Sequence, residues 1–129
     1  MYEYNLGQRF DRVAKENEGQ IALKYAGGEQ FTYSQLKQRS GEYAAWLKSK
    51  NIEKGEVVAV LNDKSFQAFS LMLGCLKTGV IYTNLDPNSP AERLSKMLEK
   101  CQPKCLFIDK GIKTEGFQSL IENGSFDVL

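Results

Sequence analysis

The sequence predicts an α/β fold: a partial domain built on a parallel β-α-β-α-β core of three strands. Three short apolar runs have the length of strands, and two helical segments separate them. The first run is apolar throughout, which is typical of a strand covered on both faces. Strands that alternate with helices in this way favour a parallel sheet with right-handed crossovers. The three predicted strands are Val57–Leu61, Val80–Leu85 and Cys105–Ile108.

The segment Phe66–Leu76 is the centre of this arrangement. It is too long for a strand and lacks β-branched residues, so it predicts a helix. Its apolar residues point in nearly every helical direction, so we expect the helix to be covered on more than one side. Asp63 or Ser65 can cap its N-terminus, and Gly79 suits the left-handed position after its C-terminus. Lys77 places a cation near the negative end of the helix dipole.

The elements after this helix follow from turn and cap signals. The β-branched and aromatic content of Val80–Leu85 predicts a buried strand. The segment Ser89–Glu92 is typical of a capping box with Pro90 at the first helical position. The next helix has one apolar face, and Pro103 prevents its continuation into the third strand. That face consists of Leu94, Met97, Leu98 and Cys101.

The N-terminal region predicts two helices and a hairpin packed around the core. A short amphipathic helix carries Leu6, Phe10, Val13 and Ala14, and ends near residues 17–19. Residues 21–25 and 30–32 favour a hairpin turning at Gly27–Gly28. Thr32 can cap a second helix that ends before Asn51, with Trp46 at the edge of its buried face. That face consists of Leu36, Tyr43, Ala44 and Leu47. The predicted architecture is therefore Rossmann-like, with a short N-terminal helix and a hairpin.

The pattern loosens beyond Asp109. It predicts a polar loop, a short helix through Phe117, Leu120 and Ile121, and a stop at Asn123–Gly124. Residues 126–129 resemble the start of another strand. We expect the natural polypeptide to continue past this apolar ending.

Composition favours a single domain in a chain of 129 residues. Lys and Arg total 17 against 16 Asp and Glu, so there is no electrostatic footprint for nucleic acid. No apolar run reaches the length of a membrane span, and the N-terminus lacks the pattern of a signal peptide. We therefore expect a cytoplasmic protein that binds neither nucleic acid nor membrane.

Cysteine and histidine content limits the chemistry. The chain has three cysteines, which we expect to be reduced thiols on apolar faces, and no histidine. Cys101 and Cys105 therefore lack the histidines that could complete a zinc site. Without histidine, Ser-His-Asp and Cys-His catalysis are excluded within this chain.

Two segments resemble functional sites but have a simpler interpretation. Gly74–Gly79 contains two glycines and a Lys-Thr pair, yet its lysine precedes the second glycine and a helix precedes it, the reverse of a phosphate loop. Asp86, Glu92 and Arg93 lie near the C-terminal end of a parallel strand, where α/β proteins bind ligands. We interpret Asp86 as a turn residue, Glu92 as part of the capping box, and Arg93 as solvated or paired with Asp86.

Asp109, after the third strand, has the same kind of interpretation, as a turn or cap residue. The sequence thus predicts no catalytic, cofactor-binding or metal-binding residue in this chain.

Two motifs resemble those of the AMP-forming (adenylate-forming) ligase family, which includes acyl-CoA synthetases and the amino-acid adenylation domains of nonribosomal peptide synthetases. Phe31–Leu36 is similar to the family's early Thr-Tyr-x-x-Leu motif. Leu76–Leu94 is similar to its Leu-Lys-Ala-Gly-x-x-Tyr-x-Pro-Leu-Asp-Pro…Pro-x-Glu-Arg-Leu motif, with departures at Thr78 and at Thr83-Asn84. The resemblance covers essentially the whole chain.

The resemblance implies activation of a carboxylic or amino acid by ATP and Mg²⁺ to an acyl-adenylate, then transfer to a carrier-protein or CoA thiol. The family's Ser/Thr/Gly-rich phosphate loop, its later acid and its C-terminal lysine have no counterpart here. We therefore expect residues 1–129 to be a structural N-terminal subdomain, inactive without the remainder of the ligase. Two alternatives stay open: a stand-alone module that completes a site in trans or self-associates, and an unrelated nucleotide-binding α/β protein.

Overall fold

The computed structural model describes residues 5–113 together with Gln118, Ile121 and the backbone of 127–128. The helices in this part are α1 (Leu6–Glu16), α2 (Tyr33–Ser49), α3 (Phe66–Thr78) and α4 (Ala91–Cys101). The strands are β1 (Ile21–Lys24), β2 (Gln30–Thr32), β3 (Val57–Leu61), β4 (Ile81–Leu85), β5 (Cys105–Ile108) and β6 (Asp127–Val128). No helix among these residues is both long and apolar enough to cross a membrane.

The main sheet has the strand order β4-β3-β5-β6, and each neighbouring pair is parallel. This confirms the predicted three-stranded parallel core. β6 adds a fourth strand, as residues 126–129 suggested. β1 and β2 form the predicted antiparallel hairpin, which is a separate small sheet. The predicted helix through Phe117 and Leu120 and its stop at Asn123–Gly124 lie outside the described residues.

β3 lies between β4 and β5, and its side chains enter two apolar cores on opposite faces of the sheet. Val58 and Val60 join a cluster with α2 and α3, while Ala59 and Leu61 join a cluster with α4. The first cluster is Leu47, Val58, Val60, Ala68, Leu71, Cys75, Val80, Cys105 and Phe107, with Trp46 packed at its margin as predicted. The second is Ala59, Leu61, Leu85, Leu94, Leu98 and Leu106.

α3 has the caps and the coverage that the sequence predicts. Ser65, rather than Asp63, caps its N-terminus by accepting a hydrogen bond from the Ala68 N–H at 3.0 Å. Gly79 ends it in the left-handed conformation at φ 76°. α3 also packs so closely on α2 that a Cβ added to Gly74 would lie 3.0 Å from the Ser40 carbonyl oxygen and from Tyr43 Cβ. A glycine therefore allows the two helices to approach closely at this crossing.

Lys77 on α3 contacts both α1 and α2. Its ammonium lies 2.7 Å from Asp11 Oδ1 on α1 and donates to Ser40 Oγ on α2, also at 2.7 Å. The Lys77 side chain is only 13% exposed. A Cβ added to Gly7 would come within 2.7 Å of the Lys77 backbone nitrogen, so α1 also approaches α3 closely. Lys77 therefore stabilises helix packing, beyond its predicted place at the helix terminus.

The strand predicted at Val80–Leu85 is present, but the prediction that it is buried is wrong. β4 begins at Ile81 and lies at the edge of the sheet, where Ile81 is 50% exposed and Asn84 is also exposed. The sequence composition indicates a strand correctly. It does not indicate strand order, which decides whether a strand is flanked on one side or on both.

The predicted capping box at Ser89–Glu92 is also wrong. The N-cap is Pro90, whose side chain has no acceptor, and α4 begins at Ala91. The helix therefore starts one residue later than predicted, which leaves Ser89 before the cap position. Glu92 instead lies 3.7 Å from Lys96 on the same helix. The predicted amphipathic character of α4 is confirmed, since Leu94 and Leu98 are buried.

We predict that Gly74→Ala destabilises the chain by about 1–3 kcal/mol, because the added methyl group would force α2 away from α3. Urea unfolding followed by circular dichroism measures this change. The matched control is Gly41→Ala on α2, where an added Cβ meets nothing within 4 Å. There we expect a gain of about 0.5–1 kcal/mol from the helix preference of alanine. Equal effects of the two substitutions would contradict the close helix crossing.

We also predict a loss of stability at alkaline pH that depends on Cys75. Burial, with a smaller effect from Cys105, raises the pKa of Cys75 from 9.0 to about 12. The unfolded chain therefore releases this proton first, and the folded state loses stability as pH rises above 9.0 toward about 12. The slope contributed by one group is at most about 1.4 kcal/mol per pH unit. Unfolding of Cys75→Ala across this range should show a shallower slope, whereas an unchanged slope would contradict the assignment.

Candidate functional site

The C-terminal edge of the parallel sheet is the candidate functional site. From β3 the chain passes to β4 on one side, whereas from β5 it passes to β6 on the other side. β3 and β5 are parallel neighbours, so the direction in which successive strands are added to the sheet reverses between them. Open α/β sheets bind ligands in the crevice at such a switch point. The fold therefore places a potential site beyond Leu61 and Ile108.

A cleft of about 510 Å³ opens at this position, and we call it the switch-point cleft. The hairpin, α2, α3 and the loops after β3 and β5 all contribute to it. Its volume falls within the range of roughly 300–1,000 Å³ that is usual for small-molecule pockets. The lining residues are Tyr25, Glu29, Phe31, Arg39, Asp63, Ser65, Phe66, Gln67, Asp109 and Lys110.

Aromatic side chains form one wall of the switch-point cleft. The rings of Phe31 and Phe66 stack with centroids 4.1 Å apart and planes at 12°. Tyr25 meets Phe31 edge-on at 6.1 Å, and its hydroxyl donates to the Lys64 carbonyl at 2.7 Å. Burial, and then the charge of Asp109, raise the pKa of Tyr25 above its ordinary value of 10.0. The stack anchors the hairpin to the first turn of α3.

Asp109 forms the floor of the switch-point cleft and is 2% exposed. Its Oδ2 accepts from the backbone N–H groups of Asp63 at 2.9 Å and Ser65 at 3.3 Å. Its Oδ1 accepts from Ser65 Oγ at 2.5 Å and from the Lys110 N–H at 3.0 Å. The carboxylate therefore joins the end of β5 to the start of α3. The Asp109 carbonyl oxygen also accepts from the Ile112 N–H at 3.1 Å, which agrees with the predicted turn, whereas the N-cap of α3 is Ser65.

A second cleft, of about 610 Å³, lies at the ends of β3 and β4 and is more polar. We call it the amide cleft because Asn62 Nδ2 donates to Asn84 Oδ1 at 3.0 Å across it. Asn62 Oδ1 in turn accepts from the Lys64 N–H at 2.6 Å. At its rim Asp86 Oδ1 accepts from the Asn88 N–H at 2.9 Å, which confirms the interpretation of Asp86 as a turn residue.

The remaining sequence candidates have structural positions. Arg93 is exposed on α4, and Glu92 lies near Lys96. Asp86, Glu92 and Arg93 therefore do not form the charged cluster that the sequence suggested. Gly74 lies inside α3 and Gly79 is its C-cap, which confirms that this segment ends a helix as the sequence predicts.

Sequence reasoning missed the aromatic wall and the Asn62–Asn84 pair. Asn62 directly follows β3, and that position after a parallel strand was the available signal. The Phe31–Phe66 stack joins residues of different elements and leaves no local pattern.

The described residues do not by themselves fit a metal site. Among them, no three histidine, cysteine, aspartate or glutamate side chains converge on one position. Carboxylate oxygens are ligands that Mg²⁺ prefers, but each oxygen of Asp109 already accepts two hydrogen bonds from the protein.

Solved structures with the same fold are known. The N-terminal subdomain of Klebsiella oxytoca NpsA in complex with anthranilyl-AMSN matches with a TM-score of 0.79 and 22% identity, over 97% of this chain and 30% of that chain. VinN in complex with 3-methylaspartate matches with a TM-score of 0.86 and 20% identity, over 98% of this chain and 34% of that chain. At these identities the matches show a shared fold.

Sequence comparisons identify the family. A plipastatin synthase polypeptide of Bacillus subtilis (strain 168) is 37% identical over 105 residues, which cover 81% of this chain and 4% of that protein. Tyrocidine synthase 2 of Brevibacillus parabrevis is 36% identical over 89 residues, which cover 69% of this chain and 2% of that protein. The chain thus spans a small part of these relatives. The model of the AMP-binding enzyme family matches residues 10–126. The chain therefore belongs to the family of AMP-binding enzymes.

Proposed function

We propose that residues 1–129 are the structural N-terminal subdomain of an ATP-dependent carboxylate-activating ligase and are inactive alone. The observation that carries the proposal is the family match across residues 10–126. The identity of 37% with a plipastatin synthase favours an amino acid as the activated substrate. Its partners would then be the remainder of the ligase and the thiol of a carrier protein or of CoA.

The geometry of the sheet edge supports a scaffold role. Asp109 holds β5 to α3, Asn62 and Asn84 hold each other, and Asp86 holds its own turn. These polar side chains are engaged in positioning the loops. The family reaction needs groups that bind a triphosphate. The polar side chains at this edge instead form hydrogen bonds within the protein.

In the proposed reaction the substrate carboxylate attacks the α-phosphorus of ATP, pyrophosphate leaves, and a thiol then displaces AMP from the acyl-adenylate. Mg²⁺, when bound, would neutralise charge on the phosphates. The residues of this chain would supply the rigid floor and aromatic wall of the switch-point cleft against which the rest of the enzyme packs. The triphosphate and the metal would be held by that remainder.

A cytoplasmic location is part of the proposal. None of the three cysteines is in a disulfide bond, and Cys75 and Cys105 are buried in the core. Free thiols are usual in reducing compartments.

We predict that the isolated chain gives no ATP–pyrophosphate exchange above background with a panel of amino, aryl and fatty acids. A chimera that joins this chain to the remainder of a plipastatin-type adenylation domain should restore exchange with that domain's own amino acid. Leu71→Asp in the chimera, which places a charge in the core, should abolish exchange, whereas Gly41→Ala should leave it unchanged.

Clear turnover by the isolated chain would overturn the proposal. So would a folded chimera without exchange. Tight binding of ATP to the isolated chain in calorimetry would also contradict the proposal, because it would place triphosphate binding in this chain rather than in the remainder of the ligase.

A further inference from the structure

β4 presents an open hydrogen-bonding edge. In the part of the chain that the structure describes, it pairs with β3 alone, in an unbroken parallel register from Val57–Ile81 to Leu61–Leu85. The edge strand is five residues long, and Ile81 is 50% exposed. It is therefore long enough to template a further strand.

The backbone groups that face outward can be identified from the register. The Ile81 N–H donates to the Glu56 carbonyl at 2.8 Å, and the Leu85 carbonyl accepts from the Asn62 N–H at 3.4 Å. Since successive residues of a strand alternate, the odd-numbered positions bond to β3. Tyr82 and Asn84 consequently turn their N–H and C=O groups away from the sheet. These two residues offer two donors and two acceptors to a neighbour.

β4 lacks the usual protection of an edge strand. Natural edges commonly carry lysine, proline or a bulge, each of which discourages pairing with another chain. The sequence Ile-Tyr-Thr-Asn-Leu contains no charged residue and no proline, and its register with β3 shows no bulge. An uncharged edge pairs with itself without repulsion.

We propose that a second copy of this chain pairs with β4 in an antiparallel arrangement, with the two-fold axis at Thr83. This register sets Tyr82 opposite the partner's Asn84, so the outward N–H and C=O groups form four hydrogen bonds. Ile81 then faces the partner's Leu85, and Thr83 faces the partner's Thr83, which are favourable cross-strand pairs. Shifting the register by two residues in either direction would lose part of this pairing.

The side chains agree with that register on both faces of the sheet. Leu85 lies in the core beneath α4, so Ile81 and Thr83 share the α4 face. Tyr82 packs on the other face, against the core beneath α3. The dimer would join two sheets into one and cover the exposed Ile81. The inference rests on the β4 edge and does not depend on the proposed function.

Sedimentation equilibrium tests the proposal directly. An interface of one short strand per chain is at the small, transient end of protein interfaces. We therefore expect the average mass to rise from 14.6 kDa toward twice that value as the concentration increases from about 5 to about 500 µM. A constant monomer mass over this range would overturn the proposal.

A matched pair of variants at one position isolates the edge. Asn84→Pro removes the amide side chain and, from the backbone, only an outward N–H, because the N–H of residue 84 does not bond to β3 and proline is tolerated on edge strands. Asn84→Ala keeps that N–H but removes the same amide contact with Asn62. We expect Asn84→Pro to weaken dimerisation at least about tenfold and Asn84→Ala to leave it within about twofold. Equal dimerisation of the two variants would overturn the proposal.

Two further variants keep the test valid if Asn84→Pro unfolds. Ile81→Lys places a charge opposite the partner's Leu85 and should also leave a folded monomer. Thr83→Cys brings two thiols to the two-fold axis, where Cα atoms of a non-hydrogen-bonded pair lie about 4.5 Å apart. Mild oxidation of Thr83→Cys should yield a covalent dimer far faster than oxidation of the wild-type chain. Undiminished dimerisation of Ile81→Lys, or no faster crosslinking of Thr83→Cys, would overturn the proposal.

Discussion

The structure depends on the burial of β3 on both of its faces. Val58 and Val60 face the helices α2 and α3, while Ala59 and Leu61 face α4, and all four are at most 2% exposed. A strand in this position can exist only if helices cover both sides of the sheet, which in turn requires crossover connections between parallel neighbours. The order of helices and strands along the chain follows from this one requirement. The switch point lies beside this strand, because β3 is followed by β4 on one side and its neighbour β5 is followed by β6 on the other.

Elements with a local cause were predictable from the sequence. The continuous apolar run of β3, the Ser65 cap and the Gly79 terminus of α3 each depend on residues a few positions apart. The same holds for the cap of α2, where Thr32 and Gln35 form a complete capping box at 2.7 and 3.1 Å. The error at Ser89–Glu92 has a local origin too. Pro90 can stand before a helix as well as in its first turn, and the sequence alone does not separate the two frames.

Elements with a distant cause were not predictable. The exposure of β4 depends on which strand neighbours which, and the stacking of Phe31 on Phe66 depends on where the hairpin docks. The functional prediction had the same division. The family was recognisable from two motifs, whereas the switch-point cleft required the hairpin, α2, α3 and two loops to be brought together. The position of Asp109 after β5 was visible, but its bonds to Asp63 and Ser65 were not.

The ion pair between Lys77 and Asp11 has a consequence for the order in which the chain is built. α1 leaves the ribosome before α3, yet the ammonium that pairs with Asp11 and the backbone that Gly7 approaches both belong to α3. α1 therefore waits, undocked from α3, until α3 has also emerged. Only then can α1 pack against α3 and complete the layer of helices on that face of the sheet.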